Sequence, residues 1–589
     1  MQSINLHKSI WAIMKKNLFL LVITFILTFS CKTEPQEAEV LGIKYPPKSN
    51  YGCVPQTSDT AWYQEDNIAP IIDGLDVIKY SITTTNPEAQ KYFNQGMVLS
   101  YGFNHAEAAR SFYYATKLDP ECAMCYWGFA YVLGPNYNAG MESDNYERAY
   151  NAIKKAIELS SNATEKEKAL INALATRYVV VPVEDRNELD FAYSGAMKKL
   201  YIKYPDDPEI AALYAESKMD LHPWDLYEKN GEPKEWTPEI ITLLETLMKK
   251  NPDHPGAHHF YIHAVEASNS PERSLLSAKK FDDGLVPGVG HLIHMPSHTY
   301  IRTGDYHKGT LANINAVKAD SSYVSACHAQ GAYPLAYFPH NYHFMAATAT
   351  LEGNSKWAII GANKLAEHVH PDIMKEQAWF TLQHFYIIPY YVAVKFGRWD
   401  DILKMKLDED TLKYPLLVTH YAKGMAYLGK KDLNNAKLEL DNLEKLAKDE
   451  DLKEMKIWEI NSAYTIAQIA RGVLKGEILA SEGNFDESIR ILKQAVDIED
   501  SLNYQEPPDW FFSVRHHLGA VQIEAGKYSD AILTYEEDLK RLPKNGWAHQ
   551  GLKLAYEKMN NREKLKQVGE LLKKSWATAD IKIKTSRIK

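Results

Sequence analysis

Several signatures that would settle a function quickly are missing from this sequence. No glycine-rich G-x-G-x-x-G follows a strand-like run and no G-x-x-x-x-G-K-[ST] loop occurs, so the common nucleotide-binding arrangements are excluded. The G-x-S-x-G elbow of serine esterases is absent as well. Runs that alternate polar and apolar residues are sparse, which leaves little for a separate sheet domain. Positive charge is not in surplus: 67 Lys and Arg face 76 Asp and Glu, a net charge of −9, so no general attraction to nucleic acid is expected. Cysteine is scarce, five in 589 residues, and decides little, although an oxidising compartment permits a disulfide. Cys122 and Cys125 form a lone C-x-x-C in helical register, open to reading as core residues, a disulfide or half of a metal site.

The length is too great for one compact core and suits several domains or one array of repeats. The N-terminal passage stands apart. From Met14 it reads MKKNLFLLVITFILTFSC, two lysines, an apolar stretch, then small and polar residues and a cysteine. That is the plan of an export signal, and Cys31 resembles the lipid-attachment site of bacterial lipoproteins. Residues 1–31 are therefore expected to be a signal peptide, with Met14 as an alternative start. Residues 32–60 read as a tether, and the rest is expected outside the cytoplasm, periplasmic or at the cell surface, held to a membrane by lipid on Cys31.

Beyond the tether the sequence is helical in period. In a unit starting at Ala89, residues Gly96, Leu99, Ala108, Phe112, Ala115 and Pro120 occupy positions 8, 11, 20, 24, 27 and 32. This resembles the tetratricopeptide repeat, in which small residues let two antiparallel helices approach and proline marks the turn onward. A unit starting at Phe512 puts Gly519, Ala531, Tyr535 and Pro543 at positions 8, 20, 24 and 32. Other recognisable units fall near 290–320, 383–415 and 469–500. The expectation is an all-α superhelical solenoid of such hairpins with irregular insertions: a segment 61–225, a histidine-rich segment 226–350, diverged repeats 351–465, and sharper repeats with a polar capping helix and tail over 466–589.

Histidine supplies the chemistry. Eleven of the 21 histidines lie between His254 and His343. On a helix, residues four apart share a face, so His259 with His263 and His294 with His298 each form a pair able to hold a metal ion. Glu266, near one turn beyond His263, is positioned to complete the coordination, to orient a histidine or to act as an acid–base group, and His291 extends the second pair. The H-x-x-x-H spacing lacks the glutamate that follows the first histidine in H-E-x-x-H zinc peptidases, since Phe260 stands there. His258, His340 and His343 are candidate acid–base groups beside the ion. His222-Pro-Trp-Asp225, His384 and Glu506-Pro-Pro-Asp-Trp510 break the repeat rhythm and are candidate contributors from distant repeats.

The segments His254-Pro-Gly-Ala-His258-His-Phe-Tyr-Ile-His263-Ala-Val-Glu266, Gly290-His-Leu-Ile-His294-Met-Pro-Ser-His298-Thr-Tyr300 and Glu506-Pro-Pro-Asp-Trp510 resemble those of a family of exported bacterial tetratricopeptide-repeat proteins. The resemblance spans about residues 80–560 and implies one functional assembly without naming a reaction. The leading expectation is a metal-dependent enzyme, with copper or non-haem iron favoured for oxidation over zinc for hydrolysis. The alternative is a non-enzymatic scaffold binding a protein, peptide or glycan. Either would take an unidentified small molecule, peptide or glycan in the concave groove.

Overall fold

A computed structural model describes residues 59–64, 67–327, 333–407 and 411–589, with side chains described for all of these except 322–327. The expected signal peptide with Cys31, nearly all of the tether, and His328 lie outside the described residues. The described chain belongs to one unit, Ile43–Lys589. It is an all-α stack of antiparallel hairpins, with a two-residue strand pair at Lys456–Ile457 and Asn461–Ser462. Helices pack mainly against their sequence neighbours, as in a solenoid. Among the described residues no helix is long and apolar enough to cross a membrane.

Local chemistry sets the hairpins. Proline occupies the first turn of Pro87–Tyr101, Pro208–Met219 and Pro255–Glu266, where its missing N–H costs nothing. The residue before it, Asn86, Asp207 or His254, accepts hydrogen bonds from the exposed first-turn N–H groups. The small residues act as the repeat pattern requires. A Cβ on Gly96 would sit 2.6 Å from the Phe112 ring and one on Gly128 only 2.3 Å, so this ring fills a slot that only glycine leaves open.

The superhelix curls until distant repeats touch. Tyr306 donates to the Pro543 carbonyl at 2.7 Å and Trp547 donates to that of Thr350 at 2.9 Å. This closure carries the segment around Glu506 up to the histidine region. The Cys122–Cys125 pair takes its core reading: both are buried free thiols, and the Cys122 sulfur accepts from the Cys125 N–H. The lysine-rich end differs from expectation. Arg562–Ser575 is a polar helix, but the residues after it fold back, and Ser586 and Arg587 are buried among the last repeats because Glu477 and Glu524 draw in the guanidinium.

Candidate metal centre

Four helical elements bring the histidines together. His259 and His263 project from one face of Pro255–Glu266, whose start is pinned by the His254 cap. His291 and His294 lie on Gly290–His294, and His298 on Pro296–Thr303. Met295 between these two keeps right-handed helical angles and Pro296 sits in a first turn, so the three histidines stay on a common face despite the proline. His340 enters from Phe338–Leu351, which follows a π-helical turn at Tyr333–Tyr337. His259, His263, His291, His294 and His298 are each no more than 2% exposed.

Hydrogen bonds assign the tautomers. His259 Nδ1 lies 2.6 Å from the Tyr101 carbonyl, which can only accept. His294 Nδ1 lies 2.7 Å from Asn313 Oδ1, and the Asn313 amide is oriented by donating to the Gly309 carbonyl at 2.8 Å. Glu266 accepts twice, at Oε1 from His263 Nδ1 at 2.8 Å and at Oε2 from His298 Nδ1 at 2.6 Å. All four Nδ1 atoms therefore carry protons, and the four Nε2 atoms are left to face the interior of the cluster. His294 Nε2 and His298 Nε2 are 2.9 Å apart, His259 Nε2 and His291 Nε2 3.2 Å, and His263 Nε2 is buried without a partner.

Burial, reinforced by neighbouring imidazoles, holds His259, His291, His294 and His340 well below the ordinary histidine range. The rings are thus neutral, the form that binds metal. Burial opposes ionisation of Glu266, but the His298 and His263 N–H groups outweigh it and keep the carboxylate charged. Glu506 behaves oppositely. Burial first, and then the Glu266 charge, push it well above the carboxylate range, so it keeps its proton. Tyr504 donates to its Oε1, while Oε2 is buried without a hydrogen-bond partner.

Beside the cluster lies a pocket of about 70 Å³ bordered by His263, His291, His298, His340 and Glu506, with Trp224, Tyr337 and Trp458 as aromatic walls and Asn138 and Gln505 as amides. Three aromatic residues around the histidines, Phe103, Trp224 and Trp458, have left-handed backbone with φ of 52°, 57° and 51°. Phe103 packs on His259 at 4.5 Å between ring centroids, Trp224 meets His263 at 5.7 Å and Trp458 meets His340 at 5.8 Å. Bulky side chains rarely adopt this conformation, which costs roughly 1–3 kcal/mol each and concentrates at functional sites.

The structure brings His259, His263, Glu266, His291, His294, His298 and His340 into one cluster, with His291 set against His259 of the first pair. His258 does not join. One residue along a helix turns the side chain by about 100°, and its nitrogens engage Ser277 Oγ and the Pro252 carbonyl, each at 2.9 Å. His343 lies one layer away, stacked on Phe511 at 5.2 Å with His384 beyond it. Of the segments that interrupt the repeat rhythm, those at 222–225 and 506–510 reach the pocket through Trp224 and Glu506, whereas His384 lies against His343 and does not border it. Tyr337, one of the aromatics the sequence offers as a pocket wall, lines the pocket, whereas Phe103 and Trp458 carried no sequence signal that set them apart from core aromatics.

Residues 473–501 match the tetratricopeptide repeat family model, on the hairpin of Ala463–Ser481 and Phe485–Asp500. A 104-residue stretch is 32% identical to the human intraflagellar transport protein 88 homolog, covering 17% of this chain and 12% of that protein. Similar solved structures include human IFIT1 dimer with m7Gppp-AAAA, at 13% identity and a TM-score of 0.30 over 85% of this chain and 92% of that one. Another is yeast Tom70, at 13% identity and a TM-score of 0.32 over 81% and 96%. The chain is a helical-repeat solenoid that resembles tetratricopeptide-repeat proteins.

Proposed function

We propose that this chain is a metal-dependent enzyme whose centre is the buried histidine cluster, and that it oxidises a small organic molecule held in the adjoining pocket. The observation that carries this reading is the convergence of imidazole lone pairs. Two Nε2 atoms 2.9 Å apart, with a proton already committed at each Nδ1, are held together only by a further proton or a metal cation between them, and burial disfavours the extra proton. Four of these rings are oriented through the second nitrogen by a carbonyl, an amide or Glu266, the usual support of a metal-bound histidine. Nitrogen ligation favours copper or non-haem iron for oxidation, with zinc hydrolysis less well supported because no carboxylate base follows the first histidine. Glu506, protonated and facing the pocket, is suited to donate a hydrogen bond to the bound molecule. The export signal and Cys31 support lipid-anchored work outside the cytoplasm.

The test is elemental mass spectrometry of the purified chain beside a His259→Ala/His263→Ala variant that retains its helical circular dichroism. Metal in the first and a loss in the second is the expected result. A chain that takes up no copper, iron or zinc even after reconstitution rules the enzyme out. It would leave the second reading, a scaffold that binds a peptide in its groove. That reading draws on the repeat match and on the chain's own residues 584–587, which lie along the last repeats with Gln550 donating to the Lys584 carbonyl and Ser586 bonded to Tyr535.

A further inference from the structure

The metal-centre reading leaves open how many ions the cluster holds, and the inference that follows rests on that reading. The ring nitrogens do not gather about a single point. They fall into two triads, His259 with His263 and His291, and His294 with His298 and His340, each with its candidate ligand atoms within 4.8 Å of one another. The triads are built alike, from two histidines four residues apart plus a third from a separate helix. A metal–nitrogen bond of about 2.0–2.1 Å in tetrahedral geometry puts neighbouring nitrogens roughly 3.3 Å apart. The first triad already spaces His259 and His291 Nε2 at 3.2 Å, and the second spaces His294 and His298 Nε2 at 2.9 Å.

The triads adjoin. Ring centroids of His263 and His298 are 5.3 Å apart, and those of His291 and His294 5.6 Å. A third grouping, His263, Glu266 and His298, also has the spacing of a metal site. Its contacts, however, are the two Nδ1–H donations to Glu266, so it is the support between the triads and orients one histidine of each. The donors of both triads are all imidazole. Paired iron or manganese sites in helical proteins are carboxylate-rich, and magnesium and calcium want oxygen; all-imidazole donors suit copper and zinc, and the oxidative reading above selects copper between them.

We propose that the six histidines hold two copper ions, one per triad, with Glu266 as a shared positioning residue and the pocket opening onto both. His263, His291, His298 and His340 all border the pocket, so a molecule bound there meets both triads.

The test is reconstitution of the purified full chain with copper alone, removal of excess, and copper counting. The intact chain is expected to hold two ions, and His259→Gln and His294→Gln one each, with circular dichroism melting reporting that the variants fold. One ion in the intact chain, lost in both variants, overturns the pair while leaving a single metal centre. Two ions that both variants retain put the copper elsewhere and overturn the assignment. No copper at all removes the underlying reading with it. Electron paramagnetic resonance of the oxidised intact chain needs no variant. A half-field transition, or a spin count well below the copper content, supports two neighbouring ions. An uncoupled spectrum accounting for all the copper overturns them.

Discussion

Glu266 and Glu506, 240 residues apart in sequence, meet at one imidazole: His298 Nδ1 lies 2.6 Å from Glu266 and 3.5 Å from Glu506. One carboxyl is charged and the other protonated, so their substitution should have unequal effects. Glu266→Gln replaces one accepting oxygen by an N–H donor facing His263 or His298. It is expected to weaken metal binding about 10–100-fold and to destabilise the apo chain by about 1–3 kcal/mol. Glu506→Gln keeps a neutral group of the same shape and is expected to change metal affinity less than about threefold, given that it donates no charge to the site. Chelator competition measures both. Equal losses in the two variants would contradict the assigned protonation states.

Gly128 tests the repeat packing apart from the site. Its substitution by alanine drives a methyl to within 2.3 Å of the Phe112 ring and is expected to cost about 1–3 kcal/mol. Shrinking the ring in a Gly128→Ala/Phe112→Leu double variant should return part of that loss, so the two effects are expected to be non-additive in denaturant melts. Simple additivity would mean that the helices separate rather than the ring yielding.

The fold was largely legible because tetratricopeptide spacing is a local property. Gly96, Phe112, Gly519 and Tyr535 advertise contacts made within a few dozen residues. Half of the site was legible for the same reason: His259 with His263 and His294 with His298 are pairs on single helical turns. The preceding pair His254 and His258 has the same spacing, and nothing in the local pattern says which pair faces the cluster. The His254 cap decides it, by fixing where the helix starts. Glu506 and Trp458 come from repeats more than 100 residues away, and their arrival depends on the accumulated curvature of the superhelix. That curvature is a sum of small rotations, each below what a single hairpin's sequence reveals.

Asp509 gives a pH signature away from the histidines. Burial raises its carboxyl from 3.8 to about 7, against a hydrogen bond donated by Asn461 at 2.8 Å, and its Oδ1 has no hydrogen-bond partner. Between pH 4 and 7 the folded chain holds a proton there that the unfolded chain has released, so this group's stabilising contribution falls as pH rises through that window. Asp509→Asn keeps the acceptor for Asn461 and removes the titration. Relative to the parent it should gain about 2–4 kcal/mol on going from pH 4 to pH 8, the size of a shift of roughly three units. Parallel stability–pH curves for the two proteins would show that Asp509 is not the group responsible.

Arg587 tests whether the folded-back end holds the last repeats together. Its guanidinium pairs with both oxygens of Glu524 at 3.1 Å and also with Glu477, a carboxylate 1% exposed. Burial opposes the charge on Glu477, but Arg587 and His517 keep it ionised. Removing the cation leaves that charge with His517 at 2.7 Å and Lys589 at 3.6 Å. Arg587→Ala is expected to cost about 3–5 kcal/mol, the penalty for a buried charge deprived of its main partner. Hydrogen exchange should quicken in Ala463–Ser481 and Arg515–Glu524, which carry Glu477 and Glu524, while Pro255–Glu266 stays protected and metal content is unchanged. Loosening of Pro255–Glu266 at the same rate would mean that the solenoid unfolds as one cooperative unit and that the end secures the metal centre as well.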